Sequence, residues 1–230
     1  CCDVVYDCTN SLSARRHAEI FSEQNLTVLD LTPAKVGDLC VPSINASHFH
    51  RGDNVNMITC GGQAALPLLC SLSPYLEDVK YIEMVSQIAS KSAGIATRIN
   101  IDDYIETTEF AIKKFTGTPS SKVIINLNPA EPCVDMQTTI FIEATPTDLH
   151  RASQEINKAV DALQRYIPGY NLTLPLSLNN GILAIGVRVR GSGDYLPPYA
   201  GNLDIITCAA IETTRLILGG EFNSAPCEIL

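Results

Sequence analysis

Short apolar runs alternate with helical patterns from the first residues onward, and this rhythm constrains the fold more than any other feature of the chain. Residues 3–8 (DVVYDC) form an apolar run closed by Thr9, Asn10 and Ser11, as a buried strand and its turn would. Residues 14–24 carry a polar helical pattern. Residues 26–31 (LTVLDL) make the next buried strand, closed by Thr32 and Pro33, and residues 54–59 (NVNMIT) make another, running straight into Cys60, Gly61 and Gly62. Strand–helix–strand order of this kind implies a parallel sheet.

The pattern lengthens after Cys60. Residues 63–72 are apolar and helical, with Pro67 about one turn in, where it does little damage if the helix starts late. Residues 79–88 read as a strand. Residues 101–115 place apolar side chains at 101, 105, 111, 112 and 115 behind Asn100 as N-cap. Strands are expected at 121–127, 139–143, 172–178 and 182–190. Between them, residues 148–167 put Leu149, Ile156, Ala159, Val160, Leu163 and Ile167 on one side of a long helix. A final helix spans 203–218 and stops at Gly219 and Gly220. Strands on both sides of a long helix suit a sheet covered by helices on one face, and the change of rhythm puts a boundary near residue 58.

Composition excludes several classes. The formal net charge is -9 over 230 residues, and no Lys/Arg-rich run occurs, so neither nucleic acid nor an anionic membrane is an expected partner. No apolar stretch reaches the roughly 18 residues of a membrane span. The nine cysteines are irregularly spaced, with no CxxC pair, which fits neither a zinc site nor a disulfide scaffold and points to free thiols in a reducing, cytoplasmic compartment. No metal is expected. The chain begins at Cys1 rather than Met, and the expectation is that a segment normally precedes it.

Chemistry concentrates at Cys60. A cysteine between a strand and a helix meets unpaired N–H groups and a positive partial charge, both of which lower a thiol pKa. The two glycines that follow would let substrate approach the backbone, and the same N–H groups could hold an oxyanion. None of His17, His48, His50 and His150 lies within the segments that carry this chemistry, so no Cys–His dyad is supported.

The run NVNMITCGGQAALP resembles the nucleophile segment of the bacterial acylating acetaldehyde dehydrogenases, which partner 4-hydroxy-2-oxovalerate aldolases in meta-cleavage of aromatic compounds. DVVYDCTNS and LDLTPAKVGDLCVPSIN resemble late strands of that family's nucleotide-binding domain. IASKSAGIATRINIDDYIETTEFAI, INLNPAEP, YIPGYNL and YLPPYAGNLDIITCAA resemble successive blocks of its catalytic region. The resemblance implies an α/β fold: the C-terminal part of a Rossmann-type parallel sheet plus an α+β catalytic and dimerisation domain of the glyceraldehyde-phosphate-dehydrogenase-like type. It divides the chain into 1–58 as the remaining nucleotide-binding part, 59–200 as the catalytic and dimerisation domain, and 201–230 as a helix returning to the first.

The resemblance also implies site residues. Cys60 would carry the acyl group. Ser92, Ala93, Gly94, Ile95, Ala96, Thr97, Arg98, Ile99 and Asn100 would line the NAD site, although Ile95 and Ala96 stand where the family has Pro and Gly. Asn202 would meet the nicotinamide end of NAD; its position also suits capping of the final helix. Thr138 stands where the family carries an Asp proposed to assist proton movement, and Asp135, three residues away, is a poor substitute.

The implied reaction joins a short-chain aldehyde to coenzyme A with NAD as oxidant, through a thioester on Cys60, in a homodimer or an aldolase–dehydrogenase complex. No GxGxxG loop occurs before Cys60, so weak NAD binding by this chain is expected. Two rivals remain: a related Cys-dependent semialdehyde or acyl-phosphate reductase, which would need an Arg- or His-lined pocket, and a non-enzymatic remnant that binds an aldolase.

Overall fold

The computed structural model describes residues 2–219, so Cys1, Gly220, Cys227 and the end of the expected 201–230 segment lie outside the described residues. Two sheets organise the rest. The first is parallel throughout and is built by β1 (Val4–Asp7), α1 (Ser11–Glu23), β2 (Thr27–Asp30), β3 (Asp38–Leu39), α2 (Pro42–Asn45) and β4 (Asn54–Asn56) in the strand order β1-β2-β4-β3. All four residues of β2 are buried, as its unbroken apolar run requires for a strand covered on both faces. Helix α1 starts earlier than its periodicity suggests, because the Asn10 side chain accepts from Ser13 N and caps it.

The second sheet is mixed. Its elements follow α3 (Cys60–Leu72) in the order β5 (Leu76–Ala89), α4 (Ile95–Ile99), α5 (Ile101–Thr116), β6 (Ser121–Asn128), β7 (Met136–Pro146), α6 (Leu149–Gln164), β8 (Tyr170–Asn179), β9 (Ile182–Val189) and α7 (Gly201–Ile217). The strand order is β6-β5-β7-β9-β8, with β5 and β6 parallel and the other neighbours antiparallel. Asn180 and Gly181 both take positive φ, 51° and 80°, between β8 and β9, the two-residue turn whose twist matches paired strands.

Helix α3 is buried along almost its whole length and packs against α5, α6, α7, β5 and β7, so its all-apolar sequence is that of a central helix rather than an amphipathic one. It starts at Cys60 itself, not at residue 63, which leaves Pro67 in the helix interior rather than near its start. Helix α7 spans the two sheets: Tyr6 Oη donates to Thr214 Oγ1 at 2.7 Å, and α7 packs on α3. The short elements β3, α2 and α4 have no clear period and were not expected from sequence. Among the described residues, no helix is long and apolar enough to cross a membrane.

Candidate active site

The segment leading to Cys60 is held in a costly conformation. Ile58 has φ of 65°, the left-handed region that a β-branched residue avoids, at a cost of about 1–3 kcal/mol. Asn56 fixes it: its Oδ1 accepts from Ile58 N at 2.9 Å, while its Nδ2 donates to Asp30 Oδ2 at 2.8 Å and to the Thr32 carbonyl at 2.9 Å. All of this is buried. Burial pushes the Asp30 carboxyl above its ordinary range, against hydrogen bonds from Thr32 and Asn56 that pull it down. The Gln63 amide adds a second clamp, donating to the carbonyls of Cys40 and Met57.

Thr59 then caps α3, its Oγ1 accepting from Gly62 N at 3.0 Å, and its carbonyl accepts from Gln63 N. The N–H groups of Cys60 and Gly61, at the start of the helix, favour the charged form of the Cys60 sulfur. Sequence reasoning expected this setting to lower the thiol pKa. Burial outweighs it: the thiol is pushed up to about 11, with Tyr104 and the two N–H groups pulling only part of the way back. The glycines also serve a different purpose from the one expected. A Cβ on Gly61 would overlap the Tyr104 hydroxyl and crowd Met84 and Ser86, and one on Gly62 would overlap Ile58. They make room for the protein's own side chains rather than for substrate.

Cys60 opens on a cavity of about 250 Å3 whose wall also includes Cys8, Thr9, Thr32, Ile88, Ala96, Thr97, Asn100, Tyr104, Asn202 and Ile206. Among the described residues, no Asp, Glu, His, Lys or Arg lines it. Of the stretch expected to line a cofactor site, Ala96, Thr97 and Asn100 reach this wall. Ser92 and Ala93 are buried beside it. Gly94 has open space around it, and Ile95 and Ile99 are 79% and 73% exposed on α4. Arg98 folds back on its own loop, Nε donating to the Ala93 carbonyl and a terminal nitrogen to Ser90 O and Oγ.

Asn100 and Asn202 depart from the capping roles considered for them. Asn100 occupies the N-cap position of α5 but its side chain makes no cap hydrogen bond. Asn202 sits inside the first turn of α7, behind Ala200 as N-cap. Its Nδ2 donates to the Ser92 carbonyl at 3.4 Å, and its Oδ1 is buried without a partner. Thr138 lies on the covered face of the second sheet, its Oγ1 paired with Ser86 Oγ at 2.8 Å. Asp135 turns instead toward Arg188 and Arg190. Tyr104 was missed from sequence: its position in a helix with the period of a core face marks it as packing, and nothing local ties it to Cys60.

The match of residues 60–197 to the dimerisation model of prokaryotic acetaldehyde dehydrogenase covers the whole of the second sheet and begins at Cys60. An acetaldehyde dehydrogenase of Spirochaeta aurantia is 49% identical over 91% of this chain and 70% of its own length. That of Pectobacterium atrosepticum is 47% identical over 94% and 74%. The chain belongs to the acetaldehyde dehydrogenase family. It is therefore an oxidoreductase, and its family relatives are aldehyde dehydrogenases by name. A solved aspartate semialdehyde dehydrogenase II from Vibrio cholerae shares the fold, with TM-score 0.64 at 13% identity, covering 94% of this chain and 79% of that one. The chain thus has the fold of that semialdehyde dehydrogenase, an α/β architecture that joins a parallel sheet to a mixed one.

Proposed function

We propose that the protein oxidises acetaldehyde, or another short aldehyde, with NAD and coenzyme A, through a thioester on Cys60. The observation that carries this reading is the meeting of Cys60 and Asn202 in the wall of one small cavity that no charged side chain among the described residues lines. An uncharged wall suits a small neutral aldehyde. A semialdehyde or acyl-phosphate substrate would want Arg or His facing its charge, and neither lines the cavity.

The Asn202 amide lines the cavity and both donates and accepts, which suits the carboxamide of a nicotinamide. When bound, NAD supplies the oxidant that accepts the aldehyde hydrogen as hydride. The chain's own residues do the rest. The Cys60 thiolate adds to the aldehyde carbon, and the N–H groups at the start of α3, which no helix carbonyl accepts, would receive the developing oxyanion. Loss of hydride leaves an acyl thioester on the sulfur. The thiol of coenzyme A attacks that thioester, its proton is released, and Cys60 leaves as thiolate. Residues 1–58 serve the nucleotide side, 59–200 the chemistry and dimerisation, and the helix that begins at Gly201 returns to the first part. A homodimer and a 4-hydroxy-2-oxovalerate aldolase are the partners in this reading.

Cys60→Ala tests it. NADH formation from acetaldehyde and coenzyme A should be present in the parent protein and fall to background in the variant, with circular dichroism unchanged. Full activity in Cys60→Ala would rule out the thioester, and no activity in the parent would favour a non-enzymatic role beside the aldolase.

A further inference from the structure

Resting on that reading, we infer that Tyr104 is a second catalytic residue, whose hydroxyl, anchored through Ser86 to Thr138, hydrogen-bonds the reacting sulfur of Cys60 and stabilises it as thiolate. The sulfur lies 3.9 Å from Tyr104 Oη, within hydrogen-bond reach for sulfur. The Ser86 hydroxyl lies beside the same phenol, both oxygens crowding the point where a Gly61 Cβ would stand, and the Ser86 and Thr138 hydroxyls are 2.8 Å apart on paired positions of β5 and β7. Four groups from α3, α5, β5 and β7 thus form one continuous chain, three of them buried. Gly61 is the residue that admits it, since any side chain there would displace the phenol.

Hydroxyls both donate and accept, so this chain can run in either direction without moving a heavy atom. In the thiol state Cys60 Sγ–H donates to Tyr104 Oη, and the other hydroxyls are free to donate in turn toward Thr138, since either oxygen of the Ser86–Thr138 pair can be the donor. In the thiolate state the order reverses, and Tyr104 Oη–H donates to sulfur. A hydrogen bond to an ionised group is worth more than one to a neutral group, so the reversal favours the thiolate. The phenol remains protonated throughout, because burial, with the Cys60 sulfur beside it, holds its pKa well above the usual value. Among the described residues lining the cavity, Tyr104 is the one whose side chain lies within hydrogen-bond reach of the Cys60 sulfur. Among the residues lining it, Cys8 is the only further titratable group, and burial with Asp7 and Asp30 nearby raises its thiol too.

The test is alkylation of Cys60 by iodoacetamide, followed by mass spectrometry of its peptide across a pH series, in the parent, Tyr104→Phe and Ser86→Ala. Phenylalanine keeps the ring and removes only the hydroxyl. Alkylation of Cys60 at fixed mildly alkaline pH should fall about tenfold in Tyr104→Phe, as loss of a bond to a charged group implies, and by a smaller factor in Ser86→Ala. A fluorinated tyrosine at 104, being a stronger donor, should shift the profile the other way. A profile identical in parent and Tyr104→Phe overturns the proposal, and if that variant does not fold, identical profiles in the parent, Ser86→Ala and the fluorinated protein do so. The readout needs no turnover, so it can fail while Cys60→Ala still abolishes activity, or succeed where activity is absent.

Discussion

At the scale of single residues, the strain at Ile58 is what the buried amide of Asn56 offsets. Replacing Asn56 by Ala would leave Ile58 N, Asp30 Oδ2 and the Thr32 carbonyl each without this partner. Unsatisfied buried groups cost about 1–3 kcal/mol each, and partial relaxation should bring the loss to about 3 kcal/mol, read as a lowered urea midpoint with unchanged slope. The sequence showed Cys60 because its strand–cysteine–glycine–glycine–helix setting is local. It did not show Asn56 or Tyr104 as partners, since an Asn at a strand end and a Tyr in a helix acquire their roles only when separate elements meet. The thiol pKa was misjudged for a related reason: the helix terminus is visible in sequence, whereas the burial that outweighs it is a tertiary property.

At the scale of elements, α5 carries Tyr104 to the site, and hydroxyls fasten it there. Thr107 Oγ1 donates to the Pro33 carbonyl at 2.7 Å, after the end of β2. Thr108 Oγ1 donates to the Tyr104 carbonyl and lies 2.7 Å from Thr59 Oγ1, the cap of α3. Asp102 and Asp103 in its first turn and Lys113 and Lys114 in its last favour the helix dipole. Thr108→Val keeps the shape and removes both hydroxyl contacts, so it should destabilise by about 1 kcal/mol and lower the thermal midpoint. α5 and α6 were legible from their period, and the expected ends lie within a few residues of those seen. The five-residue α4 and the two-residue β3 were not, because so few residues complete no period; β3 exists only by pairing with β4.

At the scale of the molecule, the second sheet has one covered and one open face. Ile82, Met84, Ser86 and Ile88 of β5 point under the helices and are buried, as are Met136, Thr138, Ile140 and Ile142 of β7. Their alternates Val85, Phe141 and Ala184 are only partly covered, and Ile124 and Ile182 are exposed. No described helix lies over that side, and it belongs to the segment that matches a dimerisation model. A self-complementary contact of standard size, about 1,600 Å2, would shield it, and two-fold symmetry would repeat each side chain on both partners. Phe141 is the place to test this, since it pairs with Glu83 on β5 and Ala184 on β9 near the middle of the open face. Phe141→Glu would bring a carboxylate beside Glu83 and, through the symmetry, would enter the interface twice. Sedimentation velocity should show a dimer in the parent and a monomer in the variant, while alkylation of Cys60 stays unchanged, because Phe141 points away from the covered face on which Thr138 and Ser86 lie. A variant that remains dimeric would place the interface elsewhere on the molecule.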